Sequence, residues 1–250
     1  MDKGPKIKVN GQAGPFEDVF LLNARGIKKL QRKYAKFAHP KRFNWDWSAI
    51  RYNRVALMTH LASKIGPECR YLEIGCAHNE LFDAMPITHK IGVDPAIGGT
   101  HKMTSEAFFA DFPDERFDLI FIDGLHTYEQ VRADLVNALR VLRPGGYIGL
   151  HDMLPKEWGE AFVPRIQGEW TGDVWKVAHE IAVTEGLDFR VFHMDAGVGL
   201  VRVPGDPNVQ LADMQAELIP AQYDYFCAHL DRVKQVTWDE GMEWLSGQEG

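Results

Sequence analysis

The sequence predicts an α/β fold built on a mostly parallel sheet, and three observations predict it. Four apolar stretches each end on polar groups: Tyr71-Leu72-Glu73-Ile74-Gly75, His89-Lys90-Ile91-Gly92-Val93-Asp94, Phe117-Asp118-Leu119-Ile120-Phe121-Ile122-Asp123 and Tyr147-Ile148-Gly149-Leu150-His151-Asp152. The run Leu119, Ile120, Phe121, Ile122 is apolar on both faces, as in a strand buried inside a parallel sheet. Helical periodicity returns between strands, with Val131, Leu135, Leu139 and Leu142 on one stripe. Ligands of open α/β sheets sit beyond the carboxyl ends of the strands, so Asp123, His126, His151 and Asp152 stand where chemistry is expected.

A chain of 250 residues accommodates one large α/β domain with additions. No apolar run approaches the length of a membrane span, and Met1 to Lys6 lack the apolar core of a secretory signal. Cys69, Cys76 and Cys227 are odd in number and form no CxxC, which argues against a disulfide framework and for a cytoplasmic setting. The net charge of −7 is unevenly spread: 13 Lys+Arg face 4 Asp+Glu through Ala56, leaving 15 against 31 in the remainder. A basic arm of this kind can meet anionic partners. Without interleaved aromatic residues, Lys28, Lys29, Arg32, Lys33 and Lys36 read as a solvated helix face, and nucleic acid is not an expected partner.

Residues 1–20 are rich in Gly and Pro and read as irregular, followed by a helix over about 21–37. Trp45 and Trp47 read as core anchors, with a substrate-lining role as the alternative. Ser48 is the expected N-cap of a second helix that Gly66-Pro67 closes. From Glu68 strands and helices alternate. Thr104 and Ser105 start a short helix, and Thr127 with Gln130 has capping-box spacing. Arg143-Pro144-Gly145-Gly146 ends that helix and launches the next strand. Residues 155–172 read as a loop, 173–184 as a helix, and 189–193 with 197–203 as an antiparallel hairpin turning at Asp195-Ala196. Gly205-Asp206-Pro207 reads as a linker to a helical tail. The expected organisation is a helical cap over 1–67, a central domain over 68–204 and a C-terminal helical extension over 205–250.

Glu73-x-Gly75 opens a loop that must approach a ligand closely. A dinucleotide fingerprint requires G-x-G-x-x-G, whereas here Ala77, His78, Asn79 and Glu80 follow Gly75. A pyrophosphate would meet side chains and a carboxylate, which disfavours a nicotinamide oxidoreductase. A ligand with ribose hydroxyls and a positive centre suits the acidic surroundings, with Asp94 placed to accept from the hydroxyls.

These segments, with Asp123-Gly124-Leu125-His126-Thr127-Tyr128 and Leu142-Arg143-Pro144-Gly145-Gly146, resemble the class I S-adenosylmethionine-dependent methyltransferases. The Asp-Gly-x-His-x-Tyr element followed by His-Asp is similar to the methyltransferase-24 group. The resemblance covers about residues 68–203. It implies a Rossmann-like, doubly wound, seven-stranded sheet and S-adenosyl-L-methionine as cofactor. By the same resemblance Glu73 and Gly75 hold its methionine part, Asp94 its ribose, Thr104 and Ser105 its adenine, and Asp123 closes the pocket near the methyl group. Metal-dependent relatives hold a divalent cation with a carboxylate at the position of Asp123 and an acidic pair after the next strand, here His151-Asp152. The imidazole departs from that pattern and opens the choice of ion from Mg to Mn, Fe or Zn. The first-loop pattern also departs, with Asn79 where the family has a glycine.

A sulfonium methyl is already activated, so the protein need only align it and deprotonate the acceptor. His126 and His151 are the candidate bases, a steadying role for the following helix being the alternative for His126. The reading is O-methylation of a small-molecule or glycan acceptor, with a homo-oligomer through the terminal helices as a further expectation. A non-catalytic domain that keeps the fold for binding is the remaining alternative.

Overall fold

A computed structural model describes residues 24–205 and 208–247. The irregular start, the first turn of the first helix and part of the Gly205-Asp206-Pro207 linker lie outside the described residues. In chain order the elements are α1 (Ala24–Lys33), α2 (Arg54–Ile65), β1 (Arg70–Ile74), α3 (Glu80–Ala84), β2 (His89–Val93), α4 (Ser105–Asp111), β3 (Phe117–Ile122), α5 (Tyr128–Val141) and β4 (Leu142–Leu150). They continue with α6 (Trp158–Ala161), α7 (Trp175–Val183), β5 (Asp188–Phe192), β6 (Val198–Arg202), α8 (Gln215–Leu218), α9 (Tyr223–His229), β7 (Gln235–Val236) and α10 (Trp238–Ser246).

The strands form one seven-stranded sheet in the order β2-β1-β3-β4-β6-β5-β7. β1 pairs in parallel with β2 and β3, and β3 with β4, while β6 runs antiparallel to both β4 and β5. The Rossmann-like, mostly parallel sheet with an antiparallel hairpin is therefore present. The seventh strand comes from the C-terminal region, where Gln235 and Val236 pair with β5 in parallel.

The two-residue side-chain period of each strand divides the core into two layers. Leu72, Ile74, Ile120, Ile122, Ile148 and Leu150 face one side with Leu135 and Leu139 of α5 and Val177 and Ile181 of α7. Tyr71, Leu119, Phe121 and Tyr147 face the other with Leu57, Met58 and Leu61 of α2, Phe82 of α3 and Leu245 of α10. Both layers bury large side chains almost completely, the dominant favourable contribution to folding. Among the described residues no helix is long and apolar enough to cross a membrane.

Several local expectations are corrected by the fold. The N-cap of α2 is Asn53, whose side chain accepts from Ala56 N, whereas the Ser48 hydroxyl donates to Asp46. Thr127 is the N-cap of α5 but makes no side-chain cap; Asp173 accepts from Tyr128 N instead, and Gln130 donates to Ser105 and Asp134. A complete capping box occurs at Thr237 and Glu240 of α10. Arg143-Pro144-Gly145-Gly146 lies within β4, where the pairing register with β3 shifts. The loop over 155–172 contains the single turn α6.

Trp45 is a core anchor: it stacks on Phe43, and its indole donates to Pro155 O. Lys28, Lys29, Arg32, Lys33 and Lys36 are exposed, as a solvated face requires.

Candidate functional site

The carboxyl ends of β1, β3 and β4 deliver polar groups to one edge because the three strands are parallel neighbours in register. β5 also runs in the direction of β4, since β6 is antiparallel to both, so its end and the turn after it reach the same edge. Four acidic or imidazole side chains from two strand ends meet there. His126 Nδ1 is 2.9 Å from Asp152 Oδ2 and His126 Nε2 is 3.4 Å from Asp123 Oδ1. His151 Nδ1 lies 3.2 Å from Asp123 Oδ1 and 3.3 Å from Asp152 Oδ1. Donor atoms of Asp123, His126 and Asp152 fall within 4.8 Å of one another, a spacing able to hold a metal ion.

The charges explain one another. Burial works against the Asp123 carboxylate, yet the His151 and His126 imidazoles hold it down to about 2. Asp152 is lowered by the same pair against the same penalty. Burial likewise opposes a charged His126, but Asp152 and Asp123 outweigh it and raise the ring to about 10. His151 is raised well above its ordinary value by Asp123 and Asp152, also against burial. Raised imidazoles thus face lowered carboxylates, the compensation that close carboxylates require.

Two residues that sequence reasoning missed complete this edge. Asp195, in the turn after β5, places Oδ1 3.5 Å from His151 Nε2. Arg54, the first residue of α2, donates from Nη1 to Asp195 Oδ2 at 2.8 Å and from Nη2 to Glu80 at 3.3 Å. Nothing local distinguishes Arg54 from a surface arginine. Asp195 carried a usable signal, because it follows a strand that ends at the same edge. Trp170 stacks on His126 with centroids 5.4 Å apart and planes at 12°, fixing the ring from the 155–172 loop.

Beside this edge lies a cleft of about 180 Å³ lined by Arg54, Glu73, Gly75, His78, Glu80 and Asp123, among others. Glu73 is buried, accepts from Tyr71 Oη at 2.5 Å and is pushed up to about 7, chiefly by burial. Gly75 has φ +84°, and a Cβ there would stand 2.1 Å from the carbonyl oxygen of Asp123. Only glycine permits that approach. Asp94 organises the adjoining loops, accepting from Ala77 N, Ala96 N and Ile97 N. Thr104 caps α4 and Ser105 turns to Gln130, so neither lines the cleft in this arrangement.

Residues 73–153 match a family model described as a methyltransferase domain, that of the methyltransferase-24 group. The matched segment is the one whose motifs resemble the methyltransferases. The match spans less than half of the chain and leaves Arg54 and Asp195 outside it. No curated protein matches the sequence.

Among solved structures, the chain is similar to an O-methyltransferase from Bacillus cereus in complex with SAH, at 16% identity and TM-score 0.45, covering 74% of this chain and 94% of that one. It is similar to the O-methyltransferase TomG from Streptomyces achromogenes in complex with SAM, at 15% identity and TM-score 0.44, covering 76% and 94%. The methyltransferase MycE of the mycinamycin pathway, in complex with Mg, SAH and mycinamycin VI, is similar at 17% identity and TM-score 0.42, covering 76% of this chain and 57% of MycE.

Proposed function

We propose that the protein transfers the methyl group of S-adenosylmethionine to a hydroxyl of a small polar or glycosyl acceptor, assisted by a divalent cation. The observation that carries this reading is the convergence of Asp123, His126 and Asp152 within 4.8 Å, beside a cleft that Asp123 also lines. Two carboxylates and one imidazole fit a cation between hard and borderline, so Mn, Fe or Zn suits the set as well as Mg. The cofactor supplies an activated methyl, and the cation supplies a Lewis acid that acidifies the acceptor hydroxyl.

The chain's own residues bind, orient and move a proton. Glu73 and Gly75 hold the methionine part, Asp94 accepts from the ribose hydroxyls, and Thr104 and Ser105 stand at the adenine end. Asp123 joins the cofactor cleft to the cation edge. The sequence offered both His126 and His151 as bases and put His151 in the cation set; the convergence of three donors favours His126 for the cation and leaves His151 as the base. His126 belongs to the three converging donors, and His151 turns Nε2 toward Asp195. In this reading a bound cation would take over the balancing of Asp123 and Asp152, leaving His151 neutral to take the acceptor proton while Asp195 orients its ring.

Calorimetry tests the cofactor assignment. S-adenosylhomocysteine binds and NAD does not, and Asp94→Asn weakens binding by roughly 10- to 150-fold, the value of a charge-assisted hydrogen bond. Binding of NAD in place of the homocysteine nucleoside would overturn the reading.

A further inference from the structure

The cleft at Glu73 and Gly75 is lined by three carboxylates, those of Glu73, Glu80 and Asp123, and by a single guanidinium, Arg54. Carboxylates suit the sulfonium and ammonium of the cofactor but repel its α-carboxylate, which needs a cation in the same cleft. Arg54 is the one Lys or Arg side chain among the lining residues. On the cofactor reading above, we infer that Arg54 is the binding residue for the α-carboxylate of the cofactor. An element outside the 73–153 segment thereby completes the cofactor site.

The local geometry supports this role in three ways. The guanidinium is pre-positioned: Asp195 Oδ2 accepts from Arg54 Nη1 at 2.8 Å and from its backbone N at 3.2 Å. Its second partner is replaceable, because Glu80 is 77% exposed at the side chain and pairs at 3.3 Å. Exposed ion pairs contribute little, so a ligand carboxylate inside the cleft can displace Glu80 at small cost. A guanidinium also carries five N–H donors in a planar fork, enough to keep Asp195 while receiving a carboxylate in bidentate fashion. Arg54 Nη1 stands 3.5 Å from His151 Nε2 as well, so one side chain borders both the cofactor cleft and the imidazole edge.

The test compares two nucleosides that differ in the group Arg54 would hold. Calorimetry is run with S-adenosylhomocysteine, which has the amino-acid end, and with 5′-methylthioadenosine, which lacks it. The proteins are the full chain, Arg54→Gln and Arg54→Lys. Arg54→Gln weakens S-adenosylhomocysteine at least tenfold and leaves 5′-methylthioadenosine within twofold of the unaltered protein. Arg54→Lys keeps the charge without the fork and loses less. Equal losses for both nucleosides would reduce Arg54 to a support of the cleft and overturn the inference, as would no loss for either. An unaltered protein that binds 5′-methylthioadenosine but not S-adenosylhomocysteine would also overturn it. Binding of neither nucleoside by that protein would instead overturn the cofactor reading on which the inference rests.

Discussion

His126 Nδ1 lies 2.9 Å from Asp152 Oδ2, joining the loop after β3 to the end of β4. The contact brings an imidazole and a carboxylate to a distance that one cation can bridge. Asp152→Asn keeps the shape and removes the charge. Mn²⁺ affinity, read by titration calorimetry, is expected to fall at least as far as for loss of an outer-shell partner, which is about 10- to 100-fold. Unchanged affinity would remove Asp152 from the cation set.

Trp170 holds the other face of the same imidazole, and its Nε1 donates to Phe162 O at 2.7 Å. Trp170→Phe keeps an aromatic face but loses that bond, so urea unfolding is expected to show a loss of about 1 kcal/mol. Trp170→Ala opens a cavity and costs about 3–5 kcal/mol. Once folded, the alanine variant should bind S-adenosylhomocysteine as before but bind Mn²⁺ more weakly, because His126 is no longer held.

Gly75→Ala places a methyl 2.1 Å from the Asp123 carbonyl, at a backbone φ of +84°. Backbone cannot yield as a flexible side chain does, so the variant should lose about 3 kcal/mol or more of stability. Thermal unfolding checks this, and a stability within 1 kcal/mol of the unaltered protein would contradict the close approach.

Asp134 gives a stability signature away from the site. Burial pushes its carboxyl up to about 6, against hydrogen bonds from Ser105 and Gln130, and Oδ2 has no partner. A folded-state value above the unfolded one means the native state holds the proton more tightly. The associated stability is present below about pH 4 and is lost as pH rises through about 6, amounting to about 3 kcal/mol. Asp134→Asn removes this dependence. Chemical unfolding at pH 8 should find the variant more stable by about 2 kcal/mol, with the gap closing near pH 4. A gap independent of pH would contradict a buried, protonatable Asp134.

The frame of the site was legible because strand ends are written in short apolar runs, and parallel neighbours carry those ends to one edge. That reasoning put Asp123, His151 and Asp152 on the edge where they meet and Glu73 beside the cleft. Applied to the hairpin, it would also have reached Asp195, since β5 runs with β4. Arg54 was not legible, because its role depends on where α2 packs against the sheet. The caps were misassigned for a similar reason. Asp46 takes the Ser48 hydroxyl, and Asp173 supplies the acceptor that Thr127 was expected to provide. Two-residue β7 is too short to leave a periodic pattern.

Methyl transfer after metal removal tests the central claim most directly. The protein is chelated, its metal content is checked by elemental analysis, and transfer from labelled S-adenosylmethionine is followed with a panel of catechol and glycoside acceptors. The account predicts that chelated protein still binds S-adenosylhomocysteine but transfers no methyl group. It also predicts that added Mg²⁺ or Mn²⁺ restores transfer in the unaltered protein and not in Asp152→Asn. Full transfer in the chelator, with no metal in the protein, would contradict it.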